Sequence, residues 1–221
     1  MSSLGAEARE AETARVRAIW EREAPHYDRV ISWCERLLFT GEREWVGGRV
    51  TGEVLEVAVG TGRNLPYYPS GIKLSGIDFS PAMLALAGAR ADELGMEVDL
   101  QVADAQKLPY EGDSFDCVVC TLSLCSIPDH VAAIDEISRV LRDEGKLVMV
   151  EHVRSPRRPV HIIQRALEPL TVRLGGDHLT RDPAALLEGH GFLVETLVRL
   201  KWGIIERVVA RKINAQSPLV T

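Results

Sequence analysis

An α/β fold is what this chain predicts: a doubly wound sheet of seven strands, mostly parallel, ending in a C-terminal antiparallel hairpin and preceded by an N-terminal helical cap. Three observations carry that expectation. From Glu53 onward, short β-rich runs alternate with helical patterns, the signature of parallel strands joined by right-handed crossovers. The first run breaks into Gly60-Thr61-Gly62, as a strand does when it turns tightly into a helix. The last two runs, in "FLVETLVRLKWG" and "IIERVVARKI", meet near Trp202-Gly203, and so short a connection permits a hairpin and no crossover helix.

The elements follow in order. Residues 1–52 are helical and charged, and "RVRAIWERE" offers Val16, Ile19 and Trp20 as one apolar face, so this segment is expected to lie over the sheet as a cap. "EVLEVAV" is the first strand and "KLSGIDF" the second. In "PAMLALAGARADEL", Ser80 is the expected N-cap and Pro81 the first helical residue, with Met83, Leu84, Leu86, Ala87 and Leu94 apolar. "EVDLQVA" and "SFDCVVCTL" are the third and fourth strands. "DHVAAIDEISRVLRDEG" is an amphipathic helix with Val131, Ile134, Ile137, Val140 and Leu141 on one face, ended by Gly145 and followed by the fifth strand, "KLVMVEHV". "RRPVHIIQRALEPLTVRLGG" is a second amphipathic helix, with Val160, Ile163, Leu167, Leu170 and Leu174 on one stripe; Pro169 should kink or shorten it. The main domain then spans 53–213, and 214–221 is a polar tail.

Composition narrows the function. In 221 residues, 46% hydrophobic and 26% charged, the profile is that of a soluble globular protein. A net charge of −6 leaves no basic surplus for phosphates, which argues against nucleic acid as a partner. No apolar run approaches a membrane span and "MSSLGAEARE" is not a signal peptide, so a cytoplasmic location is expected. The cysteines are Cys34, Cys117, Cys120 and Cys125. Cys117 and Cys120 lie three apart on one strand and point to opposite faces, so they are read as core residues and no metal site is expected; a reactive thiol is the alternative.

Gly60 and Gly62 would let backbone N–H groups approach a ligand, although a plain tight turn has the same sequence. A dinucleotide site would place a third glycine where this chain has Leu65. Asp78 ends the second strand, where a carboxylate can accept from both hydroxyls of a ribose, as NAD and S-adenosylmethionine each offer. Asp104-Ala105 follows the third strand, where the acid can accept from an adenine amino group or simply cap its loop.

Taken together, "LEVAVGTGRNLPYYP", "GIDFSPAMLALA", "ADAQKLPYEGDSFDCVV" and "EISRVLRDEGKLVMVEHV" resemble the class I S-adenosylmethionine-dependent methyltransferases, in the branch that includes the ubiquinone/menaquinone C-methyltransferases. The resemblance runs from Glu53 to about Val153 and extends to the hairpin. It implies a Rossmann-like fold, S-adenosylmethionine as cofactor and S-adenosylhomocysteine as product. By position it implies that Glu56, Ala58, Gly60 and Gly62 line the methionine side and that Asp78 takes the ribose. Phe79 and Met83 would lie beside the adenosine, Asp104 and Ala105 at the adenine, and Thr121 and Leu122 near the sulfonium. Ala58 departs from the family, which usually has Gly there. "WEREAPHYDRVISW" resembles the family's cap and would bring Tyr27 to the cofactor's carboxylate end or to the acceptor, with simple helix packing as the alternative.

Methyl transfer needs a base only if the acceptor must lose a proton. His152, at the end of strand five, and His178, in "GGDHLTRD", are the candidates, while His130 is expected to start a helix. In relatives an insert like residues 157–176 walls the acceptor pocket. Its stripe is expected to pack as core or roof, with weak membrane-surface association as the alternative. The same stretch is similar to enzymes that methylate small thiols and to bacterial phospholipid N-methyltransferases. The acceptor is therefore expected to be small or lipophilic: a thiol, a phenol or quinol, or an amine. A non-catalytic nucleotide-binding scaffold is the competing class.

Overall fold

The computed structural model describes residues 3–213, so the polar tail expected over 214–221 lies outside the described residues, as does the side chain of Cys34. The long helix α1 (Ser3–Leu38) and the short α2 (Glu42–Gly47) precede β1 (Glu53–Val57). Then come β2 (Lys73–Asp78), α3 (Pro81–Leu94), β3 (Val98–Val102), β4 (Phe115–Thr121), α4 (His130–Val140) and β5 (Leu141–His152). The chain closes with α5 (Arg158–Gly175), α6 (Ala184–Leu187), β6 (Phe192–Leu200) and β7 (Ile205–Lys212).

The strands form one seven-stranded sheet in the order β3-β2-β1-β4-β5-β7-β6. β1 to β5 pair in parallel, and β7 runs antiparallel between β5 and β6. The architecture is the expected one. Chain order reverses between β1 and β4, and open α/β sheets bind ligands outside the carboxyl ends of the strands at that point.

Alternation along the strands fills two cores. On one face Leu55, Val57, Cys120, Leu147 and Met149 pack against Ile134, Ile137 and Val140 of α4 and Leu187 of α6. On the other, Val54, Cys117, Val119, Val148 and Val150 pack against Val46, Val50, Leu65 and Tyr68. Cys117 and Cys120 thus serve opposite cores, and no metal-holding cluster occurs among the described residues.

Local signals at α3 hold: Ser80 accepts from the Met83 N–H at 3.2 Å and Pro81 opens the helix. Its apolar face is narrower than expected, because Leu86 and Leu94 are exposed. α4 ends at Val140, five residues before Gly145. Leu141 pairs with Phe115 in the sheet, and the next pair is Cys117 with Lys146, so residues 142–145 bulge out with Glu144 at φ 63°. Strand pairing overrides helical periodicity there, and Leu141 is fully buried in the sheet.

α5 is not shortened at Pro169: it continues to Gly175, with Pro169 on its exposed side, where a missing backbone hydrogen bond costs least. Its apolar stripe is neither core nor roof. The residue it buries is Gln164, whose Nε2 donates to the carbonyls of Val153 (2.9 Å) and Leu179 (3.0 Å) and whose Oε1 accepts from the Ser155 N–H (2.8 Å). A polar anchor, with Thr171 Oγ1 donating to the Asp177 carbonyl, turns the helix so that its leucines face outward.

α1 lies along the carboxyl edge as a cap. Val16 and Ile19 are buried and Trp20 is half-buried. Most of its grip is polar: Glu21 accepts from Ser80, Asp28 from Thr61 and Arg90, and Glu35 from Arg43 and Arg63.

Candidate active site

The site begins where β1 ends. Ala58 (φ 54°), Gly60 (φ 56°) and Gly62 (φ 74°) all adopt the left-handed region, which curls the chain back under α3. A Cβ at Gly60 would meet nothing nearer than the Ala58 carbonyl at 4.0 Å, so the space before it is open to a ligand. At Gly62 the same atom would stand 2.8 Å from Leu65 Cδ1 and 3.1 Å from Ala87 Cα. A side chain at Gly62 would be directed at α3, so glycine there lets the loop pack on that helix, and Gly62 is not among the residues that wall the cleft. Close helix packing, usually the task of a third glycine, falls here to the second.

Asp78 ties this turn to β2. Its Oδ2 accepts from the Gly60 N–H at 3.0 Å and its Oδ1 from the Ser80 N–H at 2.8 Å. Burial pushes its carboxyl up to about 6 against those stabilising N–H groups, and each oxygen keeps a lone pair for a ligand hydroxyl. Glu56 is buried beneath, accepting from Asn64 Nδ2 and Tyr68 Oη, each at 2.8 Å; burial pushes it up to about 7. Asn64 Nδ2 also donates to Thr121 Oγ1 at 2.9 Å, linking the turn to the end of β4.

Around these residues lies a cleft beneath the cap. Its walls include Tyr27, Glu56, Ala58, Gly60, Asp78, Phe79, Met83, Thr121 and Leu122. A second cavity of about 340 Å³ shares Ala58, Asp78, Phe79 and Ser126 with it and reaches Asp104 and Ala105. All the expected cofactor residues except Gly62 therefore line these two adjoining cavities, along the ends of β1, β2, β3 and β4. Asp104 also accepts from the Gln106 N–H at 2.9 Å, so the loop-cap reading holds beside its place in the groove.

The cap closes the groove from above. Tyr27 stands edge-on to Trp20, with centroids 5.7 Å apart, and burial pushes its phenol up to about 12, so it keeps its proton. Arg43 and Arg63 also line the cleft, clamped by Glu35 of α1. Sequence reading missed both, although Arg63 directly follows the glycine turn. It missed Glu151 as well: Oε1 of this buried carboxyl accepts from the N–H groups of Ser123 and Leu124, each at 3.1 Å, and from Ser123 Oγ at 3.2 Å. Glu151 thereby fixes the turn that holds Leu122 at φ 54°, and burial pushes it up to about 7.

The two histidines are not brought into the cleft. His152 is largely covered on the sheet face that carries Val148 and Val150, does not line the groove, and is lowered by burial, so its imidazole stays neutral. His178 lines a separate open groove beside α5, with Nδ1 3.3 Å from Glu168 Oε1. The loop after α5 does return to the carboxyl edge, where the His178 N–H donates to the Cys125 carbonyl at 2.9 Å and Arg181 donates to the carbonyls of Leu124 and Ile127, but the His178 ring is turned toward Glu168 on α5.

Comparison with known proteins agrees with this geometry. Residues 55–149 match a family model described as a methyltransferase domain. The chain is 35% identical over 140 residues to a phosphatidylethanolamine N-methyltransferase of Cereibacter sphaeroides, covering 60% of this chain and 69% of that one. It is 31% identical to a ubiquinone/menaquinone biosynthesis C-methyltransferase of Citrifermentans bemidjiense (66% of each chain) and 33% identical to a thiol S-methyltransferase of Rattus norvegicus (76% and 70%). Among solved structures, an S-adenosylmethionine-dependent methyltransferase from Thermotoga maritima superposes with a TM-score of 0.67 at 23% identity, covering 88% of this chain and 99% of that one, a likeness of fold.

Proposed function

The chain belongs to the class I S-adenosylmethionine-dependent methyltransferases, and on that premise we propose that it methylates a small or lipophilic acceptor presented to the cleft beside Thr121, Leu122 and Ser126. The observation that carries this reading is the open space before Gly60, bounded by the Asp78 carboxylate and adjoining the Asp104–Ala105 slot at the sheet's switch point. A buried acid, a bare backbone and a second acid one strand further fit a ribose flanked by a methionine chain and an adenine.

S-adenosylmethionine supplies a methyl group activated on a sulfonium. In this reading Asp78 accepts from the ribose hydroxyls while holding the Gly60 N–H, and Asp104 accepts from the adenine amino group. Phe79 and Met83 lie beside the adenosine. Tyr27, still protonated, donates to the carboxylate end, where Arg43 and Arg63 add positive charge. Glu56 keeps the turn rigid through Asn64 and Tyr68. Trp20, Tyr27 and Leu122 exclude water, and alignment in a dry site accounts for most of the acceleration.

His152 and His178 are the sequence's candidates for a base, and their placement outside the cleft favours transfer by positioning. Three relatives are named for transfer to nitrogen, carbon and sulfur respectively, so similarity alone leaves the acceptor atom open. The deciding experiment measures S-adenosylhomocysteine release with thiols, quinols, phenols and ethanolamine phospholipids, alongside calorimetry with S-adenosylmethionine and NAD. Turnover on one class, with His152→Ala and His178→Ala within a few-fold of wild type, supports positioning. A loss of roughly 10²–10⁴ in either variant at unchanged cofactor affinity identifies a base. Cofactor binding with no turnover on any class would favour the non-catalytic scaffold.

A further inference from the structure

The outward face of α5 is built unlike the rest of the surface. Ile162, Ile163, Leu167, Leu170 and Leu174 are 66%, 59%, 47%, 54% and 62% exposed. At about 100° per residue, Ile163, Leu167, Leu170 and Leu174 fall within an arc of roughly 60°, a continuous ridge along the helix. The exposed positions of α5 also include Arg173, about 90° from the ridge's midline on the side of Ile162, with Arg158 and Arg165 further round the helix past Ile162, and no acidic residue. In a chain of net charge −6 this is a local reversal of sign. Beside it opens a groove that Arg154, His161, Arg165, Glu168 and His178 line, where the ring nitrogen His161 Nδ1 has no partner. The helix turns Gln164 inward to make three hydrogen bonds and leaves its leucines outside, so the ridge is not a displaced core.

We propose that this face docks on an anionic lipid bilayer: the ridge enters the acyl boundary while the arginines of α5 meet lipid phosphates. An apolar ridge flanked by cations is the pattern of an interfacial helix. The charge distinguishes a bilayer from a second copy of the chain. A two-fold pairing of this face would set three arginines of one copy against three of the other, whereas a bilayer with acidic headgroups neutralises them. No helix among the described residues is long and apolar enough to cross a membrane, which leaves surface attachment as the mode available to α5. The docking does not rest on the methyl acceptor being a lipid.

Co-sedimentation of the whole chain with vesicles of equal phosphatidylglycerol and phosphatidylcholine, against phosphatidylcholine alone, tests it. Binding should favour the anionic vesicles and weaken with salt. The double variant Ile163→Glu, Leu170→Glu should lower partitioning at least about tenfold. The triple variant Arg158→Glu, Arg165→Glu, Arg173→Glu should lower it by about a hundredfold at low salt. S-adenosylhomocysteine affinity, measured in parallel, shows that each variant is folded. Absence of wild-type binding to either vesicle, equal binding by wild type and the folded variants, or a dimer in sedimentation that Ile163→Glu, Leu170→Glu dissolves would each overturn the proposal.

Discussion

The glycine turn after β1 and the helix after β5 both leave the carboxyl edge of the sheet, and they are built in opposite senses. In the turn, the backbone and buried polar groups are drawn inward: the Gly60 N–H to Asp78, Asn64 to Glu56 and Thr121, Tyr68 to Glu56. Left-handed residues at 58, 60 and 62 leave almost no alternative path for the chain. In α5, the inward face is polar and the apolar face is left out. The turn is specified by local backbone chemistry and so is rigid and recognisable. α5 is specified by which of two faces its neighbours can satisfy, and here a glutamine satisfies them better than leucines.

The largest effect that would break this contrast is at Gly62. A valine there must take a left-handed backbone and displace Leu65 and α3, which should cost about 2–5 kcal/mol of stability. Thermal melting reads this. A Gly62→Val protein of normal stability that has lost S-adenosylhomocysteine affinity would return Gly62 to the cleft.

Next is Asp78→Ala, which removes a proposed pair of ribose contacts and the carboxylate that pins Gly60. Cofactor affinity should fall roughly ten- to a hundredfold, or about 1.5–3 kcal/mol. Calorimetry giving an unchanged dissociation constant would remove Asp78 from the site.

On α5 the paired substitutions Gln164→Ala and Leu170→Gln sharpen the comparison. The first strands one N–H and two carbonyls and should cost about 1–3 kcal/mol in urea unfolding, while the second should lie within about 0.5 kcal/mol of wild type. A large cost at Leu170 with none at Gln164 would mean that the helix presents its other face. The smallest effect is at Ala58. Glycine there relieves a left-handed alanine worth ~1–2 kcal/mol, partly offset by the entropy of the unfolded glycine, so Ala58→Gly should stabilise by about 0.5 kcal/mol.

Legibility followed the same division. Strand order, the switch point and the groove from Glu56 to Ala105 were readable because each rests on a local signature: a β-rich run, a glycine turn, or an acid at a strand's end. The extension of β5 back to Leu141 was not, because pairing with Phe115 is a contact between distant segments. Arg43 and Arg63 were missed for a related reason, since each looks like an ordinary surface charge until Glu35 of the cap is placed above them. Glu151 was read as one more strand residue beside the candidate His152, and its hydrogen bonds to the turn after β4 exist only once β4 and β5 lie side by side.

By itself, then, the sequence determined the fold, the cofactor family and nearly all of the groove, because periodicity and backbone permissiveness are properties of neighbours along the chain. Only the tertiary structure decided that Gly62 packs against α3, that His152 and His178 stand outside the cleft, and that the ridge of α5 faces outward. The physical reason is that a helix's period shows it to be two-faced without saying which face is buried; that choice belongs to the hydrogen bonds Gln164 finds in Val153, Ser155 and Leu179.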